Sequence, residues 1–222
     1  MLYAPSTDEL RDLLIRQLSS LFPIDEKEVD QIEHLLPSSM MWIEECFSHL
    51  SNKYYSTDAG YSRFDSLHGC QWTMLLYRLS REAYTKEGGA LPDKIYALIR
   101  GLSGCDLFYQ VQLPDIFTFD HPFGSVIGRA NYADFFVFTQ GCTIGNNHGI
   151  YPRFGQRVYM LSNSKVIGDC AIGNDVIISA NAYVKDTDIP SGSIVFGQSP
   201  DLIVKTDKMD YVMEYGKNFF KF

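Results

Sequence analysis

The chain has 222 residues, of which 45% are hydrophobic and 21% are charged, and its formal net charge at pH 7 is −8. This length can bury one sizeable core or two small ones, and the composition is that of a soluble globular protein. Because nucleic acids and anionic membranes attract clustered Lys and Arg, the acidic balance argues against both as partners.

Neither a signal peptide nor a membrane span is predicted. The first residues contain no basic region followed by an apolar stretch, and no apolar run approaches the roughly 18 residues of a spanning helix. The five cysteines are far apart and form no Cys-x-x-Cys pair. They are expected to be reduced thiols, which indicates a cytoplasmic protein without a zinc site or a disulfide framework.

Residues 1–104 are predicted to form an α-helical domain. Ser6, with Glu9 three residues later, makes a capping box at the start of the first helix. Two further helices are expected, separated at Pro37-Ser38. A fourth is expected to end at Gly88-Gly89, and a fifth begins with a proline near its first turn.

The second half of the chain has a period of six. Apolar residues recur at Phe154, Met160, Val166, Ile172, Ile178 and Val184. A helix repeats at about 3.6 residues and a strand at two, so this period favours a triangular coil with three short strands per turn. The sequence therefore predicts an α+β protein, with a parallel β-helix of hexapeptide repeats at 105–204 and a C-terminal tail at 205–222.

Two interruptions break the six-residue register. They are "DHPFG" at 120–124 and "NNHGIYPR" at 146–153, and each contains a histidine, His121 or His148. An interruption of a regular coil places residues outside the coil. Since imidazole gains and loses its proton near neutral pH, both loops are candidates for a functional site.

The segment "DHPFGSVIG" at 120–128 has the pattern Asp-His-x-x-Gly-x-x-Ile-Gly, and Asp106 lies fifteen residues before His121. With the closing stretch at 177–203, this pattern resembles the serine O-acetyltransferases among the hexapeptide-repeat acyltransferases. The resemblance implies a left-handed parallel β-helix, a homotrimer, and acetyl-CoA bound along the groove between coils.

The chemistry of such a transfer assigns roles to residues. A hydroxyl that attacks a thioester must lose its proton, and imidazole is an efficient base near neutral pH. His121 is the candidate base, and Asp106 is the candidate carboxylate that orients its ring, as in the serine-protease triad. Asp106 alternatively caps the first coil. No metal is required.

Further site candidates follow from the resemblance. The candidate contacts of the hydroxyl acceptor are Asp120, His148, Tyr151 and Asp65. The candidate contacts of acetyl-CoA are Gly145, Asn146, Ser162 and Ala180, of which the first two offer backbone N–H groups to the thioester oxyanion. Alternatively, His148 is an idle loop residue, and Asp65 or Ser66 caps the helix that follows.

One departure bears on the acceptor. The family has Arg-His-Pro after its glycine-rich break, whereas this chain has Ile150-Tyr151-Pro152. The positive charge expected to hold an amino-acid carboxylate is therefore missing. A sugar or another small hydroxyl compound is favoured as acceptor, and serine is the alternative. An alternative of another class is a non-catalytic trimeric scaffold.

Overall fold

The structure is a computed structural model that describes residues 2–222. The chain forms two compact units. The helical unit comprises described residues up to 48, together with 53–103 and 107–110, and the solenoid unit comprises 49–52, 104–106 and 111–222.

The helical unit is built on four helices. They are α1 (Thr7–Ser19), α2 (Glu26–Ser48), α3 (Gly69–Lys86) and α4 (Leu91–Ser103), beside a short parallel pair of strands, β1 (Leu2–Tyr3) and β2 (Ser62–Arg63). The predicted capping box opens α1. Ser6 Oγ accepts from the Glu9 N–H at 3.3 Å, and Glu9 Oε2 accepts from the Ser6 N–H at 2.8 Å.

The prediction of two helices separated at Pro37-Ser38 is wrong, because α2 continues through Pro37. An interior proline loses one backbone hydrogen bond and costs about 3 kcal/mol. Pro37 itself is exposed, but residues on both sides of it, including Leu36 and Ile43, are buried. Each buried apolar side chain contributes about 1.5–3 kcal/mol, so packing of the two halves outweighs the local cost.

Helices α3 and α4 follow the sequence signals. Gly88 has φ of 70° and its N–H bonds to the Ala83 carbonyl at 2.8 Å, which ends α3 with a left-handed residue. Pro92 is the second residue of α4. The Tyr109 hydroxyl donates to Asp93 Oδ1 at 2.8 Å, and burial together with this bond raises the pKa of Tyr109 to about 12.

The solenoid unit consists of short strands and one helix. In chain order they are β3 (Asp106–Leu107), β4 (Phe117–Phe119), β5 (Val126–Ile127), β6 (Phe136–Phe138), β7 (Thr143–Gly145), β8 (Arg153–Phe154), β9 (Val158–Met160), β10 (Lys165–Ile167), β11 (Ala171–Ile172), β12 (Val176–Ile178), β13 (Tyr183–Lys185), β14 (Ser193–Gln198), β15 (Asp201–Lys205) and α5 (Met209–Gly216).

All of these strands except β15 stack in parallel into three walls. The first wall has the order β3-β5-β7-β10-β13, the second wall pairs β8 with β11, and the third wall has the order β4-β6-β9-β12-β14. Paired residues of neighbouring coils are 17 to 19 apart in most places, as Val126 and Thr143 or Lys165 and Tyr183 are. They are 22 apart across the second interruption, as Thr143 and Lys165 are. The six apolar residues at period six are all at most 5% exposed, which confirms the hexapeptide prediction.

The corners of the coil require left-handed backbone. Between the third and first walls, Asn163 and Asn181 both have φ of 62° and Gly141 has φ of 67°. A Cβ on Gly141 would overlap Asn163 Oδ1, so a side chain there would require this amide to move, and the positive φ also favours glycine. At another corner, Arg157 and Asp175 both have φ of 57°, and Arg157 Nη2 donates to Asp175 Oδ2 at 2.9 Å. This ion pair ties one coil to the next.

The third wall is buried on both faces. Its outward side chains Tyr159 and Ile177 are at most 3% exposed. The Tyr159 ring lies 5.7 Å from that of Tyr215 in α5 and 5.8 Å from that of Phe219. This burial raises the pKa of Tyr159. Helix α5, which the sequence did not predict, therefore covers this wall together with the residues after it.

The predicted fold class is confirmed, since helices precede a parallel β-solenoid of about five turns in the described chain. The last coil ends in an antiparallel hairpin of β14 and β15, joined by Ser199 and Pro200. Within residues 2–222, no helix combines the length and apolar composition that a membrane crossing needs. In the same residues the cysteines are all free thiols.

Candidate active site

The first interruption forms a loop at residues 120–125, called here the histidine loop, between β4 and β5. Four backbone hydrogen bonds tie it to neighbouring segments: Asp120 N–H to Phe138 C=O at 3.2 Å, Gly124 N–H to Gly104 C=O at 3.0 Å, Gly141 N–H to Phe123 C=O at 3.0 Å, and Asp106 N–H to Ser125 C=O at 2.8 Å. The loop is thus held along most of its length.

Two features inside the loop hold its shape. The Ser125 N–H bonds to the Pro122 carbonyl at 3.1 Å, and Gly124 has φ of 73°, as the third residue of a type II turn requires. The buried Ser125 hydroxyl donates to the Thr139 carbonyl at 2.7 Å and accepts from the Cys142 N–H at 3.1 Å. The backbone that carries the histidine is therefore well supported.

His121 projects from this loop into solvent. Its backbone is left-handed, with φ of 48°, and its side chain is 76% exposed. Its Nε2 lies 3.6 Å from Oδ1 of Asp120, which is longer than a hydrogen bond but within ion-pair range. Asp120, predicted only as an acceptor contact, is therefore also the carboxylate next to the imidazole.

Asp106 lies at the start of β3, where its N–H bond to Ser125 places it beside the end of the histidine loop. The Asp106–His121 dyad stays a prediction. The structure brings the segments of the two residues together through this backbone hydrogen bond.

The second interruption forms a hairpin loop at residues 146–153. Asn147 and Ile150 exchange two backbone hydrogen bonds of 3.0 Å, and His148 and Gly149 between them have φ of 49° and 81°. Two central residues with positive φ make a type I′ turn, so His148 is exposed at its tip. The Asn146 side chain accepts from the Gly149 N–H at 3.1 Å.

The arginine of the hairpin loop, Arg153, follows directly after Ile150-Tyr151-Pro152, the segment that departs from the family's Arg-His-Pro. Tyr151 is half-buried and Pro152 is buried. Arg153 follows, and its Nη1 lies 3.1 Å from Oδ1 of Asp169, with both side chains about half exposed. This arginine is therefore already paired with a carboxylate of the same chain.

The acetyl-CoA candidates lie on two edges of the first wall. Ser162 and Ala180 occupy equivalent positions at the corner that precedes this wall, where the Ser162 carbonyl accepts from the Asn181 N–H at 2.9 Å. The histidine loop lies at the same corner, since Gly141 bonds to it. Gly145 ends β7 at the opposite edge. The site candidates thus fall into two groups separated by the width of a short strand, about 10 Å.

Asp65 belongs to the helical unit. Its Oδ1 accepts from the Leu67 N–H at 2.9 Å, and its carbonyl accepts from the His68 N–H at 3.0 Å. The residue that caps α3 is His68, without a side-chain cap bond, so the interpretation of Asp65 or Ser66 as the cap is wrong. Asp65 instead forms an Asx turn before the helix.

No group of three or more His, Cys, Asp or Glu side chains in residues 2–222 is arranged to hold a metal ion. The residues described above therefore offer imidazole, carboxylate and backbone N–H groups. These suit proton transfer and stabilisation of an oxyanion.

Comparisons with known proteins point to one family. The chain is 28% identical over 137 residues to the serine acetyltransferase of Helicobacter pylori, covering 60% of this chain and 80% of that protein. It is 30% identical over 141 residues to the serine acetyltransferase of Staphylococcus xylosus, covering 61% of this chain and 63% of that protein. No family model matches the chain.

A solved serine acetyltransferase structure in complex with CoA superimposes with a TM-score of 0.68 at 17% identity, covering 90% of this chain and 84% of that one. The fold and the repeat therefore define a hexapeptide-repeat β-solenoid protein. Within that class, the chain is similar in sequence to serine acetyltransferases, which confirms the resemblance drawn from residues 106–128.

Proposed function

We propose that this protein is an acetyl-CoA-dependent O-acetyltransferase that acts on a hydroxyl group of a small molecule. The observation that carries the proposal is the exposed imidazole of His121 on a loop whose backbone is fixed by four hydrogen bonds. The kinship with serine acetyltransferases supports the same reaction class.

His121 acts as the general base in this proposal. The acceptor hydroxyl approaches the exposed imidazole, loses its proton to a ring nitrogen and attacks the thioester carbonyl. The C–O bond forms, the C–S bond breaks, and the proton passes from the imidazolium to the leaving CoA thiolate. A positioned base of this kind contributes roughly 10²–10⁴-fold to turnover.

A carboxylate must hold the imidazole in one tautomer and orientation. Asp106 is our candidate for this role, and Asp120, at 3.6 Å from Nε2, is the competing one. Asp106→Asn and Asp120→Asn separate them. The variant of the orienting residue should lose turnover nearly as severely as a His121 variant, and should add little to it in a double variant, because the two residues act as a unit.

The developing oxyanion of the thioester needs hydrogen-bond donors. We assign this role to backbone N–H groups at Gly145 and Asn146, at the start of the hairpin loop of the neighbouring subunit in the proposed trimer, because within one chain they lie about 10 Å from the histidine loop. Ser162 and Ala180, on the corner that also carries the histidine loop, are assigned to contacts with the CoA chain. Tyr151 and His148 remain candidates for contact with the acceptor, as does Asp65 from the helical unit.

The acceptor is proposed to be an uncharged hydroxyl compound, such as a sugar, rather than free serine. Ile150 and Tyr151 stand where the family has Arg-His, and the nearby Arg153 is engaged by Asp169 at 3.1 Å. The hairpin loop thus lacks the Arg-His pair of the family, and its arginine has a competing carboxylate in Asp169. Serine remains the alternative acceptor because the relatives are serine acetyltransferases.

The test is an acceptor screen with the purified protein. Release of free CoA thiol from acetyl-CoA is measured against L-serine and a panel of sugars. We expect turnover with at least one hydroxyl compound and at best poor turnover with serine. Serine turnover at roughly 10⁴ M⁻¹s⁻¹ or more, the level of an ordinary metabolic enzyme, would overturn the acceptor assignment.

A non-catalytic scaffold is the rival from another class. It predicts no thiol release with any acceptor and no binding of CoA. Binding of CoA by calorimetry, without turnover in the screen, would leave the enzyme class in place and direct the search to other hydroxyl compounds. Absence of CoA binding would contradict the proposal.

The assembly is proposed to be a cytoplasmic homotrimer with each site between two subunits. The solenoid presents flat walls, and the first wall exposes apolar and small side chains such as Val126, which is 45% exposed. Exposed walls of this kind commonly serve as interfaces.

A further inference from the structure

We propose that two copies of this chain associate through the free edges of their β15 strands, which pair antiparallel about a two-fold axis at Ile203. The inference concerns the closing hairpin of the solenoid and does not depend on the proposed acetyl transfer. It identifies the partner as a second copy of the same chain.

The direction of the backbone groups in β15 follows from the hairpin. Gln198 and Asp201 close a two-residue loop, so they form a hydrogen-bonded pair, and the alternation continues through Ile203 and Lys205. The N–H and C=O groups of Leu202 and Val204 then point away from β14. In the described chain, no bond from outside the hairpin reaches these two residues.

An unpaired row of this kind is a template for another strand. With the two-fold axis at Ile203, Leu202 of one copy is opposite Val204 of the other. These are the residues whose backbone groups point outward, so their N–H and C=O groups meet in register. Both copies contribute the same five residues, as a closed two-fold interface requires.

The charges of β15 match in the same register. Asp201 lies opposite Lys205 of the second copy, and the symmetry repeats this pair on the other side of the axis. Both pairs are of the non-hydrogen-bonded kind, in which side chains approach most closely. Opposite charges directly across such a pair stabilise it, whereas like charges destabilise it.

The apolar side chains of the hairpin add a continuous row. Phe196 and Ile203 are cross-strand partners on the outer face, 36% and 60% exposed. Pairing of two β15 strands brings both copies of this couple side by side, as Phe196-Ile203-Ile203-Phe196 across four strands. The Lys205 ammonium lies 5.2 Å from the centre of the Phe196 ring and rims this row.

A second copy is favoured over an unrelated strand because the segment Asp-Leu-Ile-Val-Lys complements an identical segment that runs antiparallel to it. Acidic, apolar and basic positions at 201, 203 and 205 each meet their complement in one register. A slip by two residues would place Ile203 opposite a charge, so the sequence specifies the register.

The test compares the solution mass of the full chain and its variants by analytical ultracentrifugation across micromolar concentrations. Asp201→Lys places a lysine opposite Lys205 of the other copy in both pairs, and Lys205→Asp places an aspartate opposite Asp201, so each variant has like charges across the interface. We expect the wild type to reach twice the mass of either variant, whose self-association should weaken at least about tenfold.

Two further samples make the result specific. An equimolar mixture of Asp201→Lys and Lys205→Asp restores opposite charges across the interface, so it should recover the doubled mass. Val204→Pro removes an outward N–H while leaving the bonds to β14, so it should abolish doubling with the charges intact. Thermal unfolding verifies that each variant is folded.

Equal mass for the wild type and all variants would overturn the proposal, whether that mass is single or doubled. Failure of the mixture to associate, when the wild type does, would also overturn it, because charge pairing in this register would then not matter. Pairing with a different protein, without self-association, would show that the occupant is not a second copy and would equally refute it.

Discussion

His121 owes its accessibility to a left-handed backbone at a solenoid corner. A side chain that is 76% exposed can be replaced without opening a cavity. Asn tolerates left-handed φ better than Ala, so His121→Asn removes the imidazole with little backbone strain. We expect a roughly 10²–10⁴-fold loss of turnover and an unchanged thermal unfolding midpoint.

His148 supplies the matched control for this measurement. It has nearly the same φ, 49° against 48°, and is also exposed in a loop that interrupts the coil. Asn is a favoured residue in its type I′ turn, so His148→Asn should be structurally neutral. Equal losses of turnover in the two variants would assign His148 a role in catalysis, and full activity of His121→Asn would refute the mechanism.

Gly216 lies where close neighbours leave no room for a side chain. A Cβ at this position would overlap Oη of Tyr159 and lie 2.9 Å from Cε2 of Phe222. Gly216→Ala should therefore lower the free energy of unfolding by about 1–3 kcal/mol, the usual cost of overpacking. Chemical denaturation measures this loss.

Tyr159→Phe provides the corresponding double variant. The Tyr159 hydroxyl is buried without a hydrogen-bond partner among the described residues, so its removal should be nearly neutral or slightly stabilising. In the Gly216→Ala background it should restore part of the lost stability, because the oxygen is the nearest clashing atom. Purely additive effects would argue that the two residues do not meet.

At the scale of elements, α2 carries an avoidable cost at Pro37. This residue is exposed, so its replacement loses little packing. Pro37→Ala should raise the free energy of unfolding by about 1–3 kcal/mol by restoring a backbone N–H to the helix interior. Pro92→Ala, in the first turn of α4, is the control and should give no gain because the N–H there is unpaired anyway. A destabilised Pro37→Ala would show that the proline shapes α2.

The elements also show which sequence signals are sufficient. The six-residue period predicted the coil because every inward residue of a solenoid packs in the same apolar interior, so the same residue type recurs. The break predicted at Pro37 was wrong because a local helix signal contains no information on the tertiary contacts of Leu36 and Ile43. Helix α5 was not predicted because its burial depends on a wall 50 residues earlier, at Tyr159, and not on the hydrophobic pattern of the helix itself.

The same reasoning applies to the site. The motif at 120–128 located the loop, because the turn at Gly124 and the corner have local sequence requirements. The roles of Asp120 and Ser125 depend on side-chain directions that spacing does not encode. Ser125 reads as an ordinary loop serine, yet its hydroxyl joins the Thr139 carbonyl to the Cys142 N–H.

At the scale of the whole molecule, coverage of the third wall limits how copies can pack. Because α5 and the residues after it occupy that wall, we expect the first wall to face the trimer. Light scattering should give three chains of 25.3 kDa, or six when the β15 edges also pair. Val126→Arg, on the first wall, should lower the assembly to single chains or pairs. A stable wild-type monomer at micromolar concentration would contradict both the trimer and the shared site.

The regular stacking of coils means that length along the solenoid comes in equal steps. Each coil advances the stack by about 4.8 Å, the distance between neighbouring strands. Its corners repeat the same left-handed positions, from Asn163 to Asn181 and from Arg157 to Asp175. Addition or removal of one full coil would therefore shift the β14–β15 end relative to the histidine loop in a fixed step, without altering either. The separation between the histidine loop and the β14–β15 hairpin can therefore be changed, by evolution or by design, in steps of one whole coil.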